Sequence, residues 1–548
     1  MSKNKQLVLT VLFSLFIFFS SFAQEQKSLS ETDAHKEQSI SEKINNVFEP
    51  FVEQMGEILF WDPFSAMGLY DPIVYNEDGT PILDGEGKPI EKHIPIIVFW
   101  LIMGAIYFTI RMKFVNIRAF KHSLDLVQGK FDNPDDEGEI SHFQALATAL
   151  SGTVGLGNIA SVAIAITIGG PGATFWMIVA GLFGMSAKFV EVTLGVKYRE
   201  IFKNGEVAGG PMYYLSKGLK ARNLGLLGGV LAIIYAILLI GASIGGGNMF
   251  QANQAYLQFE MMIPALEGHG AWFGFGMALL VGVVIIGGIK SIAKVTEKVV
   301  PFMALLYIVV AVLIIAVDFK ELPHMFALIF HGAFSPEAIK GGIVGVLVVG
   351  FQRAAFSNEA GIGSASIAHS AVKTEEPVSE GIVALLEPLI DTVIICTLTA
   401  LVIVITGYHD ATAAAGLDGA QLTSRAFGSV FSWFPYLLAV AIMLFAFSTM
   451  VSWSYYGLKG FDFLFKKPIE KLTGKASASK YIFFMIFLMF TVVGAASSMG
   501  AVMDFSDMMI LSMGFPNIIG LIIMAPEVAK DLKSYLHRVK TGEIKKYK

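Results

Sequence analysis

The chain has 548 residues, of which 54% are hydrophobic and only 16% charged, which is too apolar for a soluble protein with a polar surface to cover. The net charge of −5 indicates no particular partner and gives no reason to expect nucleic acid. The single cysteine, Cys396, excludes an intrachain disulfide, and the chain has no HExxH, paired-cysteine zinc or GxSxG motif. We therefore expect a membrane protein that is not an enzyme and needs no cofactor.

The first residues have the pattern of a secretory signal. Lys3 and Lys5 precede an apolar run from Leu7 to Phe19, and small residues follow at Ser21 and Ala23. We expect residues 1–23 to be removed as a signal peptide, and a retained anchor is the less favoured alternative. Residues 24–93 are acidic and rich in turn-forming residues, which predicts an exported, loosely ordered periplasmic segment.

From Ile94 onward the sequence is a train of apolar runs, each long enough to cross a hydrocarbon core of about 30 Å. We count about eleven of them, which predicts an all-α polytopic membrane protein. The predicted spans lie near residues 94–112, 143–168, 173–197, 224–257, 272–289, 297–317, 341–362, 381–406, 430–458, 480–500 and 505–526.

The basic residues of the loops predict how these spans are oriented. Loops assigned to the inside carry clusters that include Lys197 and Arg199, whereas outer loops such as 258–271 and 407–424 are poor in basic residues. Because cytoplasmic loops carry an excess of Lys and Arg, we expect a multi-pass protein of the inner (plasma) membrane with a periplasmic N-terminus. Residues 527–548 would form a cytoplasmic tail.

Two of the spans contain too much glycine and polar sequence to be regular helices. They are residues 149–161, with Gly155 and Gly157, and residues 350–364. Glycine lowers helix propensity, and unwound backbone at membrane depth is tolerated only where it is buried in protein or lines a cavity. We therefore predict a discontinuous helix at each place. The alternative is that the glycines only allow close helix packing.

Each broken segment opens a block of five predicted spans, at residues 143–317 and 341–526. An odd number of spans in each block gives the two blocks opposite orientations in the membrane. This predicts a five-plus-five inverted repeat, which is typical of secondary transporters whose substrate site lies at the midplane between broken helices.

Ionisable residues at membrane depth are costly, so each is a functional candidate. Glu359 lies in the second broken segment, where it could bind a cation or hold the unwound backbone through hydrogen bonds. Asp391 and Glu387 are interpreted as structural partners of neighbouring helices, with a direct role as the alternative. Lys188 and Glu191 lie near a predicted cytoplasmic helix end, and we interpret them as structural residues that snorkel or pair.

Polar uncharged residues also interrupt two apolar runs. Gln251 follows three glycines at residues 245–247, and Thr449 and Trp453 lie four residues apart and hence on one helix face, as do Ser448 and Ser452. The alternative for Trp453 is an anchor at the membrane interface.

Several stretches together resemble a known family. They are Gly138-Glu-Ile-Ser-His-Phe-Gln-Ala-Leu146, Gly155-Leu-Gly-Asn-Ile159, Gly169-Gly-Pro-Gly-Ala173 with Phe175-Trp176, Ala208-Gly-Gly-Pro-Met-Tyr213, Gly287-Gly-Ile-Lys-Ser291, Phe356-Ser-Asn-Glu-Ala-Gly361 and Trp453-Ser-Tyr-Tyr-Gly457. With these residues the chain resembles the alanine/glycine:cation symporter family, the sodium:alanine symporters of bacteria and archaea.

The resemblance implies a leucine-transporter-like fold preceded by one extra transmembrane helix, near 94–112, and sodium-coupled symport of a small neutral amino acid such as alanine or glycine. The chain departs from the family at its N-terminal segment, and Leu156 stands where the family often carries Thr. That departure bears on the choice among alanine, glycine, serine and D-isomers.

We expect the substrate and the coupling ion to meet at the first break. The substrate carboxylate would face backbone N–H groups there, where the helix dipole favours an anion, and sodium would take oxygen ligands. The predicted substrate contacts are Thr153, Gly155, Gly157, Asn158, Gln251 and Trp453. The predicted sodium ligands are Ser151, Thr153, Val154, Thr449 and Ser448. Asn358 and Glu359 are predicted to be structural at the second break.

Two other classes stay open, a cation channel and an amino-acid sensor. A channel would offer a continuous polar pore, but the sequence has no ring-forming filter motif. A sensor would carry a signalling domain, and none is recognised after residue 526. We expect a small neutral amino acid, sodium and the lipid bilayer as partners, with no obligatory protein partner.

Overall fold

A computed structural model describes residues 93–547 apart from residues 134, 204, 335–341, 411, 415–416 and 418, together with a few residues between 56 and 89. The predicted signal peptide, residues 1–23, and nearly all of the acidic segment 24–93 lie outside the described residues.

Helices make up most of the described chain, as they must in lipid, where backbone N–H and C=O groups need internal partners. The longer helices are, in chain order, α1 (Ile96–Arg111), α2 (His142–Thr153), α3 (Ala160–Gly169), α4 (Ala173–Lys197), α5 (Gly225–Ile244), α6 (Phe250–Met262), α7 (Gly270–Ile285), α8 (Ile289–Val317), α9 (Leu322–Phe334), α10 (Gly342–Asn358), α11 (Pro377–Ile405), α12 (Gly419–Val430), α13 (Phe434–Thr473), α14 (Ala478–Ala496), α15 (Met499–Ser512) and α16 (Gly514–Thr541).

Shorter elements connect these helices. The short helical turns are Pro63–Ala66, Val115–Arg118, Phe120–Val127, Leu156–Asn158, Pro211–Tyr213, Tyr214–Gly218, Gly245–Met249, Pro264–Leu266, Phe319–Glu321 and Ala365–His369. Two short strands, β1 (Glu200–Ile201) and β2 (Val207–Ala208), form an antiparallel hairpin after α4 in which Glu200 pairs with Ala208.

Seven helices of the described chain are long and apolar enough to cross a membrane, or eight if the bent pair α2 and α3 is counted as one span. The helices α1 and α7 are apolar but shorter. Large apolar side chains on the outside of the bundle fit lipid contact, since Val283 is 74% exposed and Leu305 is 63% exposed. The prediction of a helical, multi-pass membrane protein is confirmed, while the count of eleven and the inverted repeat stay predictions.

Helix α4 lies at the centre of the described bundle and packs against α1, α10, α11 and the turn Ala365–His369. Its glycines allow this close approach. A Cβ at Gly184 would come 2.8 Å from the Cβ of Ala360, and a Cβ at Gly195 would come 2.9 Å from that of Ser366. Small residues at such crossings let membrane helices pack backbone to backbone. The segment after α10 therefore rests directly on α4.

Both predicted interruptions are confirmed. Helix α2 ends at Thr153, and the segment that begins at Leu156 is bent by 57° relative to it. Helix α10 ends at Asn358, and the next residue, Glu359, adopts the left-handed conformation with φ of 56°. Left-handed backbone is rare for a residue other than glycine and cannot continue a helix. The glycines therefore do more than allow helix packing.

The helix boundaries differ from the prediction where charge begins. Helix α13 runs to Thr473 and α16 to Thr541, well beyond the apolar runs predicted to end at 458 and 526. Lys, Glu and Leu have high helix propensity, so the helix continues after the hydropathy falls. Helices α9 and α12 were not predicted, because their apolar runs are too short to count as spans.

Candidate functional site

Neutral side chains hold the backbone at the first break. The N–H of Gly155 donates to Oδ1 of Asn158 (2.9 Å), and the N–H of Leu156 donates to Oε1 of Gln251 (3.1 Å). Nε2 of Gln251 in turn donates to the carbonyl of Gly246 (2.9 Å). All these groups are buried. The break thus presents two consecutive backbone N–H groups to side-chain oxygens rather than to a preceding helical turn.

Gln251 reaches the break because α5 and α6 are joined by a π-helical turn, Gly245–Met249. Such a turn inserts an extra residue and rotates everything after it, a feature that is common at functional sites. The three glycines also let neighbouring side chains approach, since a Cβ at Gly247 would clash with the ring of Trp453. The sequence signal for this arrangement was the run of glycines before Gln251.

Hydroxyl and carbonyl oxygens from α13 and α2 meet beside the break. Oγ1 of Thr449 donates to the carbonyl of Ser151 (3.0 Å), and Oγ of Ser151 donates to the carbonyl of Ser448 (2.7 Å). One turn further along, Oγ of Ser452 donates to the carbonyl of Thr148 (3.0 Å). The structure therefore brings together three of the predicted sodium ligands, Ser151, Thr449 and Ser448.

Trp453 joins the two breaks. Its Nε1 lies 3.2 Å from the carbonyl of Gly152 in α2 and 3.2 Å from Oε1 of Glu359, and its side chain is 1% exposed. The alternative of an anchor at the membrane interface is wrong, because the ring is enclosed by protein. Tyr456 packs against it edge to face, with ring centroids 5.4 Å apart.

The remaining predicted residues of the first break lie near it, and their described contacts are with other parts of the protein. Oγ1 of Thr153 turns back to the carbonyl of Ala149 in its own helix at 3.4 Å. Val154 is buried at the end of α2. A Cβ at Gly157 would lie in ordinary contact, 3.4 Å from Cα of Ser357, so the break passes beside α10 at this residue. Roles of these residues in binding stay predictions.

Asn158 and Asp391 connect the first break to α10 and α11. Nδ2 of Asn158 donates to Oδ1 of Asp391 (2.6 Å), and Oγ of Ser357 donates to Oδ2 of the same carboxylate (2.8 Å). Asp391 is fully buried and lies in the π-helical part of α11. In this arrangement the Asn158 side chain has partners at both ends, because its Oδ1 accepts from Gly155.

The second break is held by a carboxylate and an amide. Oε2 of Glu359 accepts a hydrogen bond from Ser364, five residues further along, and its Oε1 accepts from Trp453. Oδ1 of Asn358 accepts from the N–H of Ala360 (2.9 Å), and its Nδ2 donates to Thr392 of α11 (2.9 Å). The bonds of Asn358 to Ala360 and of Glu359 to Ser364 connect the residues before the break with those after it.

Six charged or titratable side chains, which we call the buried array, extend from beside the second break towards the end of the bundle that carries the hairpin. They are His142, Lys188, Glu191, His369, Glu380 and Glu387. Lys188 and Glu191 are fully buried rather than snorkelling, and Nζ of Lys188 lies 3.4 Å from Oε2 of Glu387. Pairing, the other alternative for Lys188, is confirmed.

Sequence reasoning missed His142, His369 and Glu380. His142 and Glu380 stand just before predicted spans, and His369 lies in the loop that follows residue 362, where solvent would be expected to satisfy each of them. The available signal was that three ionisable residues stood near matching ends of neighbouring spans.

Among the described residues no three His, Cys, Asp or Glu side chains form a metal-binding group. A separate cavity of about 410 Å³ lies between α6, α12 and α13 and shares no residue with the two breaks; its lining includes Met262, Tyr408, Arg425 and Tyr436.

The chain is similar to a known family and to individual proteins of that family. Residues 87–548 match the model of the sodium:alanine symporter family. The sodium/alanine symporter AgcS of Methanococcus maripaludis is 36% identical over 452 residues, which cover 82% of this chain and 96% of that protein. The probable sodium/glutamine symporter GlnT of Bacillus subtilis is 34% identical, over 82% of this chain and 89% of its own.

Among solved structures, that of MhsT in complex with L-phenylalanine aligns with 72% of this chain and 98% of its own, at 13% identity and a TM-score of 0.47.

Proposed function

Because the chain belongs to the sodium:alanine symporter family, we propose that it uses a sodium gradient to carry a small neutral amino acid such as alanine or glycine across the membrane. The observation that carries the proposal is the first break, where two consecutive backbone N–H groups that donate to neutral amide oxygens lie beside a cluster of hydroxyl and carbonyl oxygens. An amino-acid carboxylate needs the first set, and a hard cation needs the second.

The substrate carboxylate would exchange with the amide oxygen of Gln251 at the N–H of Leu156. A charged acceptor makes a stronger hydrogen bond than a neutral amide does, so the exchange is favourable when the ligand arrives. Asn158 would act through Gly155, by keeping that N–H turned towards the site. Gly155 itself would be required because a Cβ there would clash with Oγ1 of Thr449 and come 3.2 Å from Oε1 of Gln251.

Sodium would bind next to the carboxylate, at the carbonyl of Ser151 and the hydroxyl of Thr449. Those two oxygens lie 3.0 Å apart, and the carbonyl of Ser448 is 2.7 Å from the Ser151 hydroxyl. Occupation of both sites would neutralise the carboxylate with the ion in a water-poor environment, which couples the two binding events. Movement of the broken helices around this fixed site would then give alternating access without ATP.

The size of the pocket would limit the substrate. Trp453 is locked by two hydrogen bonds and lies against Gly247, and the buried Leu156 follows Gly155 directly. An added methylene gains or loses only ~1–3 kcal/mol in an apolar pocket, so strong exclusion of leucine must come from steric clash with these walls.

We propose an inner-membrane protein whose basic loops face the cytoplasm. On this orientation the hairpin after α4, which contains Glu200, and the end of α16 are cytoplasmic. Reporter fusions test it: a phosphatase fused after Lys548 should be inactive, and activity there would contradict the orientation.

Reconstitution into lipid vesicles tests the function. With sodium outside and none inside, labelled alanine should accumulate above its external concentration, and replacement of sodium by potassium should abolish the accumulation. Equilibration without accumulation would point to a channel, and binding without movement would point to a sensor.

A further inference from the structure

The buried array holds a histidine between two carboxylates. Nδ1 of His369 lies 2.5 Å from Oε1 of Glu380, and Nε2 of the same ring lies 2.8 Å from Oε1 of Glu387. All three side chains are fully buried. A neutral imidazole has only one N–H, so it can donate to one carboxylate and must face the other with a lone pair. Two hydrogen bonds therefore require one further proton shared among the three groups.

The bridge continues towards solvent through a second histidine. Nδ1 of His142 is hydrogen-bonded to Oε2 of Glu380, and its Nε2 lies 3.8 Å from Oδ1 of Asp132, a side chain that is 39% exposed. The hydrogen bonds therefore lead from the bridge as far as His142, which lies next to the partly exposed Asp132.

In the other direction the array ends beside the second break. Nζ of Lys188 lies 3.4 Å from Oε2 of Glu387 and 3.7 Å from Oε1 of Glu191, and these three buried atoms have no hydrogen-bond partner among the described residues. Lys188 is also close enough to interact electrostatically with Glu359. The charge of the bridge therefore acts, through Lys188, on Glu359, which holds the backbone of the second break.

The array connects elements that a transport cycle must move. His142 begins α2, which leads into the first break, and His369 ends the short helix that follows the second break. Glu380 and Glu387 belong to α11, and Lys188 and Glu191 to α4. The hydrogen bonds and ion pairs of the array therefore tie both broken helices to the α4 and α11 pair, and the shared proton is part of this network.

We propose that the array is a proton-binding site, which takes one proton at the His369 bridge when both broken helices are tied to α4 and α11 and releases it through His142 when they separate. Release leaves a neutral imidazole between two carboxylates, so one of the two hydrogen bonds is lost. The inference is tested by uptake and by thermal melting, and only the uptake experiment rests on the proposed transport function.

Other charged and titratable groups also lie around the bridge. Those that act on its members are Lys188 and Glu191 of α4, His142 of α2, Tyr456 of α13, Glu359 at the second break, and Arg199 and Asp132 in the loops. Lys188, Arg199 and a charged His142 oppose a proton on the bridge, and the carboxylates favour it.

The direction of the pH dependence follows from which arrangement binds the proton. The tied arrangement binds the proton and the separated one does not, so low pH stabilises the tied arrangement and this stabilisation is lost as the pH rises through the bridge's titration. A single proton changes the equilibrium by at most tenfold per pH unit.

The first readout is sodium-driven alanine uptake in vesicles with the same pH on both faces, between about pH 6 and 8.5, the range over which a histidine bridge can titrate. We expect the initial rate of the wild type to rise several-fold with pH. His369→Gln, which keeps one donor and one acceptor but cannot hold the extra proton, should make the profile flat. The matched control is His122→Gln, because His122 bonds Tyr535 outside the array; its profile should follow the wild type.

The second readout needs no transport and separates this inference from the proposed function. The melting temperature of the purified wild type should fall as the pH rises over the same range, and that of His369→Gln should not. If His369→Gln fails to accumulate, Glu387→Gln replaces it with the same expectation, because it removes one of the two carboxylates that share the proton. A wild-type protein whose uptake and melting are both independent of pH, or a folded His369→Gln that keeps both wild-type profiles, overturns the proton site. Absence of uptake in the wild type with a pH-dependent melting curve overturns only the transport function.

Discussion

The two breaks interrupt two helices in the same bundle, but they are held by different chemistry. At the first, the backbone N–H groups of Gly155 and Leu156 donate to amide oxygens of Asn158 and Gln251. At the second, the carboxylate of Glu359 accepts a hydrogen bond from Ser364 on the other side of the unwound backbone, and it interacts electrostatically with Lys188.

The difference indicates which break can exchange partners. A hydrogen bond between neutral groups contributes about 0.5–1.5 kcal/mol net, so a ligand can replace an amide oxygen at little cost. Removing one member of a buried charged set costs about 3–5 kcal/mol, because the remaining charges lose their compensation. We infer that the first break is adapted to receive a ligand and the second to be a fixed anchor.

The largest expected effect is therefore at the second break. Glu359→Ala should lower the free energy of unfolding by about 3–5 kcal/mol, because it leaves the buried Ser364 hydroxyl without its acceptor, takes one of two acceptors from the Trp453 N–H and removes a carboxylate that acts on the charge of Lys188. Thermal melting of the purified protein measures this.

Two variants make that test selective. Glu359→Gln keeps an acceptor oxygen and should recover part of the loss, whereas Gln251→Ala at the first break should cost much less. Equal losses for Glu359→Ala and Gln251→Ala would remove the distinction between the two breaks.

The second effect tests whether the first break must stay open. Gly155→Ala places a Cβ against Oγ1 of Thr449, and such overpacking costs about 1–3 kcal/mol, or roughly 5- to 150-fold in substrate affinity if the strain falls on the site. Gly276→Ala in α7 is the control, since nothing lies within 4 Å of a Cβ there. Alanine uptake at wild-type affinity in Gly155→Ala would exclude a site at this break.

The sequence predicted both breaks because glycine and polar residues within an apolar run are a local signal. The pairing of Thr449 with Ser151 was also foreseeable, since a polar face on one span needs a partner on another. The orientation of Gln251 was not, because it depends on the π-helical turn before it, which no spacing rule gives.

The half of the buried array formed by His142, His369 and Glu380 could not be predicted, for a different reason. Hydrogen-bonded members of the array are 238 residues apart for His142 and Glu380 and 18 apart for His369 and Glu387. At the ends of spans, such residues look solvated in the sequence. Only the packing of α4 against α11 and the second break removes them from water.

A smaller effect is expected for the ion. Thr449→Val keeps the shape of the side chain but removes the hydroxyl that lies 3.0 Å from the Ser151 carbonyl. Apparent sodium affinity should fall by about tenfold, as the loss of one oxygen ligand of about 1.5 kcal/mol implies, while the protein yield stays close to normal. Ser454→Ala on the same helix is the control, because its hydroxyl donates to the carbonyl of Val451 (2.7 Å) in its own helix. An unchanged sodium dependence in Thr449→Val would place the ion elsewhere.

The smallest effect concerns the side chain that links the two breaks. Trp453→Phe keeps an aromatic ring against Gly247 but gives up the hydrogen bonds to Gly152 and Glu359, so the wall over the substrate becomes smaller and less fixed. Inhibition of alanine uptake by valine and leucine should improve by roughly fivefold relative to inhibition by glycine, since one methylene is worth about 1 kcal/mol in such a pocket. Gln251→Ala should instead change the affinity for all four amino acids alike, because it acts at the N–H of Leu156, which meets their common head group. Trp433→Phe is the control, since that ring is 55% exposed at the start of α13 and should leave the ranking untouched. If Trp453→Phe transports alanine with the wild-type ranking, the ring serves only to join the breaks, and the limit on substrate size must come from Leu156 or another wall.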